Sequence, residues 1–463
     1  MYLMDQFAGM AANYISGISQ QPVFPSADSI AQLERFREPL QQEPVSPDEV
    51  LHLLDQLGSP ATVKSSGGRY FGFVTGSSLP AAMITKLLAT VWDQNGAMYV
   101  MSPVAATLEE IASDWMIDLL GLPKGAATGF VTGATMANFT ALAAARHALL
   151  ARAGWDVEAK GLFGAPEIQI VVGDEVHVSL LKALSLVGFG RERIIRVPVD
   201  HQGRIQADKI PWTDAPTILC LQAGNVNTGA FDPFEEICRN KKENVWIHID
   251  GAFGLWAAAS PATHHLVKGM NGADSWAADA HKWLNAPYDC GLVFVKEKVF
   301  LFDAMASSAA YLVQTGKRDP FQFTPEMSRE TRGVPIWAAL KSLGKQGLAH
   351  MIQGHCQKAR YMAKALQDAG FRILNEVVLN QVLVSFGDEA TTLEVIKKIQ
   401  EEGTCWCGGT NWQGNTAMRI SISSWATTDQ DIQLSIDAIV KIARRVLDVQ
   451  SKKKSSDQAE TSL

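Results

Sequence analysis

Between residues 125 and 295 short apolar runs alternate with helical stretches, and this alternation constrains the fold more than any other feature of the chain. The runs fall at 129–132, 168–172, 194–197, 217–221, 245–249, 274–278 and 292–295. Helical patterning fills several of the gaps, notably 136–153 and 178–186. Strands that alternate with helices and read as continuous apolar runs are buried on both faces, so a mostly parallel sheet with helices on either side is expected. In such an open sheet, ligands gather beyond the carboxyl ends of the strands. Polar residues cluster there in this chain.

The flanking regions are organised differently. Residues 1–65 read as an N-terminal helical segment, with Ser46-Pro47-Asp48-Glu49 as a helix start. A second helix begins at Ser102-Pro103 and is ended by Gly121. The large α/β domain is expected over 66–345. A small C-terminal α+β domain is expected over 346–448, with strands at 381–385 and 418–422 and helices near 391–402 and 428–447. The polar end, 449–463, reads as a disordered tail.

With 41 Lys+Arg against 48 Asp+Glu, the net charge of −7 gives no reason to expect a nucleic-acid partner. No apolar run approaches the roughly 18 residues of a membrane span, and the start of the chain lacks a basic, apolar leader. The six cysteines stand mostly alone in apolar surroundings, as reduced thiols of a cytoplasmic protein do. Cys405-Trp406-Cys407 lacks the spacing and the histidines of a metal site, so no metal is expected.

Four segments carry chemistry. Asp279-Ala280-His281-Lys282-Trp283 encloses a lysine among apolar residues, which should lower its pKa and suit it to trapping an aldehyde. His248-Ile249-Asp250-Gly251-Ala252 ends an apolar strand in an acid that needs a cationic partner, such as a protonated pyridine nitrogen. Val131-Thr132-Gly133-Ala134-Thr135-Met136-Ala137-Asn138 leads a strand into a helix start whose N–H groups can hold a phosphate. Glu175-Val176-His177 places a histidine past another strand end, where it can stack on a ring or cap the next helix. Each has a bland structural reading when taken alone. Together they describe a pyridoxal phosphate site.

The same segments, with Tyr70-Phe71-Gly72-Phe73-Val74 and Gly229-Ala230-Phe231-Asp232-Pro233, resemble in order the motifs of group II pyridoxal-phosphate-dependent amino acid decarboxylases over about residues 65–440. The resemblance implies fold type I, with a seven-stranded, mostly parallel sheet and a small C-terminal domain. It also implies a homodimer with active sites at the interface. Residue by residue, Lys282 matches the Schiff-base lysine and Asp250 the partner of the pyridine nitrogen. Ala252 and His177 match the residues flanking the ring, and Ala134, Thr135 and His281 match phosphate contacts. Phe73, Val74, Phe323 and the 98–101 stretch are expected to shape a pocket for an apolar or aromatic L-amino acid.

Two departures bear on the outcome. Where many family members carry a Thr-Thr pair, this chain has Ala223-Gly224-Asn225, and Asn225 resembles the loop of sphingosine-phosphate lyase. The segment Gly316-Lys317-Arg318-Asp319-Pro320-Phe321-Gln322-Phe323 lacks the family's proton-donating tyrosine, the nearest being Tyr311. A carbon–carbon lyase, an aldehyde-forming enzyme and a non-catalytic pyridoxal phosphate protein are the competing readings. Residues 309–333 read as a lid, open to trypsin at Lys317-Arg318, that lowers Phe321 and Phe323 over the site. Arg419 is placed either on a substrate carboxylate or in a structural role.

Overall fold

The computed structural model describes residues 2–307 and 316–460. Two compact units divide the chain. The larger takes residues 74–361 and 375–382, and the smaller takes the N-terminal 73 residues with 362–374 and the chain from 383 onward.

Seven strands form the sheet of the larger unit: β1 (Ala127–Val131), β2 (Gln169–Gly173), β3 (Ile194–Val197), β4 (Thr217–Gln222), β5 (Val245–Asp250), β6 (Ser275–Asp279) and β7 (Gly291–Val295). Their order is β1-β7-β6-β5-β4-β2-β3. Strands β6, β5, β4, β2 and β3 are paired in parallel, and only β7 runs against its neighbours β6 and β1. Every apolar run foreseen as a strand is one. Side chains alternate across the sheet with the period of two that strands impose. Leu219 and Leu221 enter one core while Ile218 and Cys220 enter the other. The first core holds Trp256, Trp276 and Trp283; the second packs the sheet on the helices Ala134–Arg152 and Val178–Val187.

Because β7 alone is reversed, β1, β2, β4, β5 and β6 end at the same edge of the sheet. That edge receives Gly133, Asp174, Ala223, Gly251 and Ala280, the residues that follow those strands or their first turns. The reversed strand enters there too. A Cβ on Gly291 would stand 2.4 Å from the Gly133 backbone, so only glycine lets β7 approach the turn after β1 this closely.

The sheet's outer edge at β1 is capped by arginines. Arg329 donates to Phe130 O at 2.8 Å and pairs with Glu109 at 2.9 Å; Arg318 donates to Thr128 O and stands 4.2 Å over the Phe323 ring. Phe321 and Phe323 are 2% exposed, the first against Ala97 and Met98, the second in the sheet core. This corrects two expectations. Phe321, Phe323 and Met98 are core residues rather than lid or pocket walls, and Arg318 is engaged by Glu109 rather than displayed for cleavage. The sequence misled because Gly, Pro and charge suggested an open loop, whereas the charges meet a buried carboxylate. The first part of the expected lid, residues 309–315 with Tyr311, lies outside the described residues.

In the smaller unit, β8 (Arg372–Ile373), β9 (Gln381–Ser385, entering from the larger unit), β10 (Gly408–Trp412) and β11 (Asn415–Ser421) make an antiparallel sheet of order β10-β11-β9-β8. Ser46 caps the helix Pro47–Leu53, its Oγ accepting from Glu49 N at 3.1 Å. Trp406 stacks with the rings of Tyr70 and Phe73, with centroids at 5.1 and 5.5 Å. Phe73 is exposed and left-handed at φ 55°. Arg419 sits in β11, where burial pushes its pKa down. The last helix runs from Asp429 to Glu460, through residues whose composition reads as a disordered tail.

Candidate active site

Lys282 stands in the turn between β6 and β7, and the backbone there is clamped from several sides. Trp256 Nε1 donates to Asp279 O at 2.9 Å and Trp283 Nε1 to His355 Nδ1 at 2.7 Å. Asn285, left-handed at φ 57°, accepts from Ser77 N at 2.9 Å through Oδ1. Residue 76 passes so near that a Cβ there would lie 1.9 Å from Lys282 O, which makes Gly76 obligatory.

The lysine amine lies 2.9 Å from Asp279 Oδ2. Burial pushes the Lys282 pKa down, but the charge and hydrogen bond of Asp279, helped by Asp250, outweigh it and hold the amine above its ordinary value. The expectation of a lowered pKa is therefore corrected. Apolar neighbours in sequence suggested desolvation alone, while the acid three residues earlier supplies the counter-charge.

The other oxygen of Asp279, Oδ1, accepts from Ala134 N at 2.6 Å, at the first turn of the helix Ala134–Arg152. A carboxylate here is favoured by the unpaired N–H groups and the positive end of the helix dipole. His281 also faces it, with Nε2 at 3.5 Å. Cys290 N donates to His281 Nδ1 at 3.1 Å, so the ring proton is on Nε2 and points to this anion-binding turn. Burial holds the His281 pKa below its usual value, against the pull of Asp279, and the ring stacks on Tyr288 at 4.3 Å.

Asp250 ends β5, 6% exposed. Its Oδ2 accepts from Asn138 Nδ2 at 3.0 Å and its Oδ1 from Ala252 N at 3.2 Å. No cation pairs with it among the described ion pairs. Asn225 follows β4, the neighbour of β5. Its Oδ1 accepts from Asn227 N at 2.9 Å and Thr228 N at 3.2 Å, while its buried Nδ2 has no partner. Thr135 lies in the first turn of its helix beside Ala134. His177 caps the helix Val178–Val187, with Ser179 N donating to Nδ1 at 3.3 Å, so the capping role weighed for it is present.

The structure thus joins Lys282, His281 and Ala134 around Asp279, and sets Ala252 on Asp250 at the end of the adjacent strand, with Asp279 N donating to Ala252 O at 2.8 Å. Asn225, His177 and Thr135 share the same sheet edge by position. Three residues with a part here, Asp279, Asn138 and His248, stood inside the motifs without being given a role. The signal for Asp279 was its spacing of three from Lys282. The link from Asn138 to Asp250 spans 112 residues and has no local signature. Among the described residues no group of His, Cys, Asp and Glu could hold a metal, and Cys405 and Cys407 are buried side by side.

The residues fit pyridoxal phosphate. The orphaned Asn225 amide, the unpaired carboxylate of Asp250, the first-turn N–H groups after Gly133 and the amine of Lys282 supply a donor, an acid, an anion cradle and a nucleophile. At Gly133 a Cβ would come within 3.3 Å of His281 Cε1, so the cradle is tight around the glycine backbone.

Comparison with known proteins agrees. The family profile described as the pyridoxal-dependent decarboxylase conserved domain matches residues 33–387. An aromatic-L-amino-acid decarboxylase of Bacillus atrophaeus is 25% identical over 93% of this chain and 92% of its own. A human acidic amino acid decarboxylase is 28% identical over 68% of this chain and 63% of its own. The crystal structure of Oryza sativa TDC with PLP and tryptamine superposes with a TM-score of 0.87 at 19% identity, covering 96% of this chain and 97% of that one. The chain belongs to the pyridoxal-dependent decarboxylase family of fold type I, and it is a pyridoxal-phosphate-dependent amino acid decarboxylase.

Proposed function

We propose that the enzyme decarboxylates an apolar or aromatic L-amino acid to the amine and carbon dioxide, with Lys282 and Asp250 as its principal catalytic residues. The observation that carries the assignment of residues is the contrast at the sheet edge. Asp250 is a buried acid held only by neutral donors, close in the fold to an amine already paired with another acid.

When bound, pyridoxal phosphate supplies an aldehyde that condenses with amines and a ring that takes up the electron pair left by a departing carboxylate. Lys282 binds the cofactor through Nζ. Asp250 holds a proton on the ring nitrogen by its unpaired charge. Ala252 and His177 would flank the ring, and Asn225 would donate through Nδ2. Ala134, Thr135 and His281 hold the phosphate, and for Ala134 to do so Asp279 must release the N–H it now accepts. The Lys282 amine would hold the cofactor or, when free, would be placed to move a proton.

Support for the substrate class comes from the Bacillus relative, whose name gives aromatic amino acids. The human relative's name points instead to acidic ones. A homodimer is supported by Ile84, Leu87, Leu88 and Val91, exposed apolar residues at the spacing of one helix face on Pro80–Trp92. A cytoplasmic location is in keeping with six free cysteines.

The deciding experiment is a panel of aromatic, aliphatic and acidic L-amino acids, assayed for carbon dioxide, amine, aldehyde and ammonia. Amine and carbon dioxide from aromatic or aliphatic members support the proposal. Turnover confined to glutamate or aspartate overturns the substrate class. Aldehyde with ammonia in place of amine overturns the outcome, in favour of the aldehyde-forming alternative.

A further inference from the structure

Behind Asp250 lies a chain of buried polar groups that the proposed chemistry does not touch. Trp246 Nε1 donates to Ser275 Oγ at 2.8 Å, and Ser275 Oγ is 2.9 Å from His248 Nδ1. His248 Nε2 is 2.8 Å from Asn138 Oδ1, and Asn138 Nδ2 is 3.0 Å from Asp250 Oδ2. Trp246 is 1% exposed, and His248, Ser275 and Asn138 are fully buried. Three elements supply them: β5, β6 and the helix Ala134–Arg152.

Elementary donor and acceptor rules fix every hydrogen in this chain, starting from the acid. A carboxylate only accepts, so the Asn138 amide nitrogen must face it. The amide oxygen then faces His248 and can only accept, so the imidazole proton sits on Nε2. Nδ1 of the neutral ring is left with a lone pair and takes the Ser275 hydroxyl proton. The serine oxygen in turn accepts from the indole, which is a donor only and closes the series. All four hydrogens point toward Asp250. Such aligned bonds polarise one another in a low-dielectric interior.

Neutrality is the second consequence. Burial pushes the His248 pKa down to about 3, outweighing a Ser275 backbone interaction that pulls it up. The groups facing the ring on its neighbours, Asn138, Ser275 and the thiol of Cys220 on β4, carry no charge either; the Cys220 thiol is pushed up by burial and by Asp250. The hydrogen bonds that orient the acid therefore come from neutral groups, and no direct ion pair among the described residues takes up its charge.

We propose that His248 is a positioning residue for Asp250, acting through Asn138: its Nε2–H locks the amide so that a donor, never an acceptor, faces the acid. The inference rests on the reading of Asp250 as the partner of the ring nitrogen.

Two measurements test it. In the full-length enzyme, long-range ¹H–¹⁵N correlation of the imidazoles should show His248 as the neutral Nε2–H tautomer. An Nδ1–H tautomer or an imidazolium overturns the proposal. With ¹⁵N-labelled pyridoxal 5′-phosphate bound, His248→Leu should move the ring-nitrogen resonance toward its unprotonated position and raise the cofactor Kd about tenfold. His248→Gln, which keeps a donor near the place of Nε2, should recover most of both. A wild-type resonance in His248→Leu overturns the proposal, and if that variant does not fold, the tautomer of the wild type decides. Asp250→Asn separates the two levels. If it leaves the resonance unmoved, the reading of Asp250 itself fails; if it moves the resonance and His248→Leu does not, only the role of His248 fails.

Discussion

Two buried acids face the same end of the sheet and are treated in opposite ways. Asp279, 2% exposed, is met by an ammonium, a helix start and an imidazole, so its charge is compensated inside the protein. Asp250, 6% exposed, is hydrogen-bonded among the described residues by an amide and a backbone N–H, both neutral, and feels the Lys282 ammonium without a direct ion pair. Burying a carboxylate without a counter-charge is unfavourable, so an acid left in that condition marks a place that a cationic ligand completes. The compensated acid has the complementary task of holding the nucleophile and the anion cradle in register. The difference teaches that charge balance, more than burial, separates a residue that binds ligand from one that arranges the site.

The largest effect is expected on the amine that joins the two regions. Lys282→Ala should fold, yet lose turnover by at least about a thousandfold, and borohydride should no longer fix the cofactor to the protein. Label retained at another lysine would remove Lys282 from its role. Next comes the uncompensated acid. Asp250→Asn should lower kcat by roughly 100- to 1000-fold while cofactor stays bound, because a neutral amide cannot hold the ring nitrogen protonated. Turnover within a factor of three of wild type would show that the open charge has no catalytic part.

That contrast was only half visible in the sequence. The strands were legible because a strand buried on both faces is a continuous apolar run, as Thr217-Ile218-Leu219-Cys220-Leu221 is. Strand β10, Gly408-Gly409-Thr410-Asn411-Trp412, has no such run and is held by its pairing with β11, so it escaped notice. Lys282, Asp250 and the Gly133 turn were legible because each sits in a compact local motif. The pairing of Lys282 with Asp279 went unread because its apolar neighbours dominated the local environment. Asn138 and His248 went unread for another reason: their meeting joins residues 110 apart, which no local pattern encodes. Phe323 was misplaced for the same cause, since its burial depends on Arg318 and on the edge of β1.

Asp279→Asn reverses the compensated half of the comparison. In cofactor-free protein it should reduce stability near pH 7 by about 1–3 kcal/mol, since an ammonium loses its ion pair but keeps an amide oxygen. The pH dependence has a definite sign. Lys282 is raised on folding, so the pair's contribution is fully present below the ordinary lysine value of about 10.4 and is lost as pH rises through the folded value. The gap between wild type and variant in urea unfolding should therefore stay constant from neutral pH to about 9 and close above 10.5. The variant's amine should also combine with added cofactor faster at pH 7, being less often protonated. A gap independent of alkaline pH would mean that Asp279 does not stabilise the lysine's charge.

The smallest effect tests whether the cradle beside Asp279 serves ligand or merely packing. Gly133 precedes the helix Ala134–Arg152 in extended backbone, at φ 169°, so a side chain there meets no torsional objection. An added Cβ would lie 3.3 Å from His281 Cε1 and 3.5 Å from Asp279 Oδ1, close enough to displace the ring by a few tenths of an ångström without striking backbone. Alanine also narrows the unfolded ensemble, which offsets the crowding. Gly133→Ala should therefore change unfolding stability by less than about 1 kcal/mol. The same methyl intrudes where a phosphate must reach the first-turn N–H groups and His281 Nε2, so the cofactor Kd should rise roughly tenfold, about 1.4 kcal/mol. Equilibrium dialysis and urea unfolding on one preparation separate the two readouts. A variant that loses stability in step with cofactor affinity would make this turn a packing joint between β1 and β7, and would move the anion site away from Asp279.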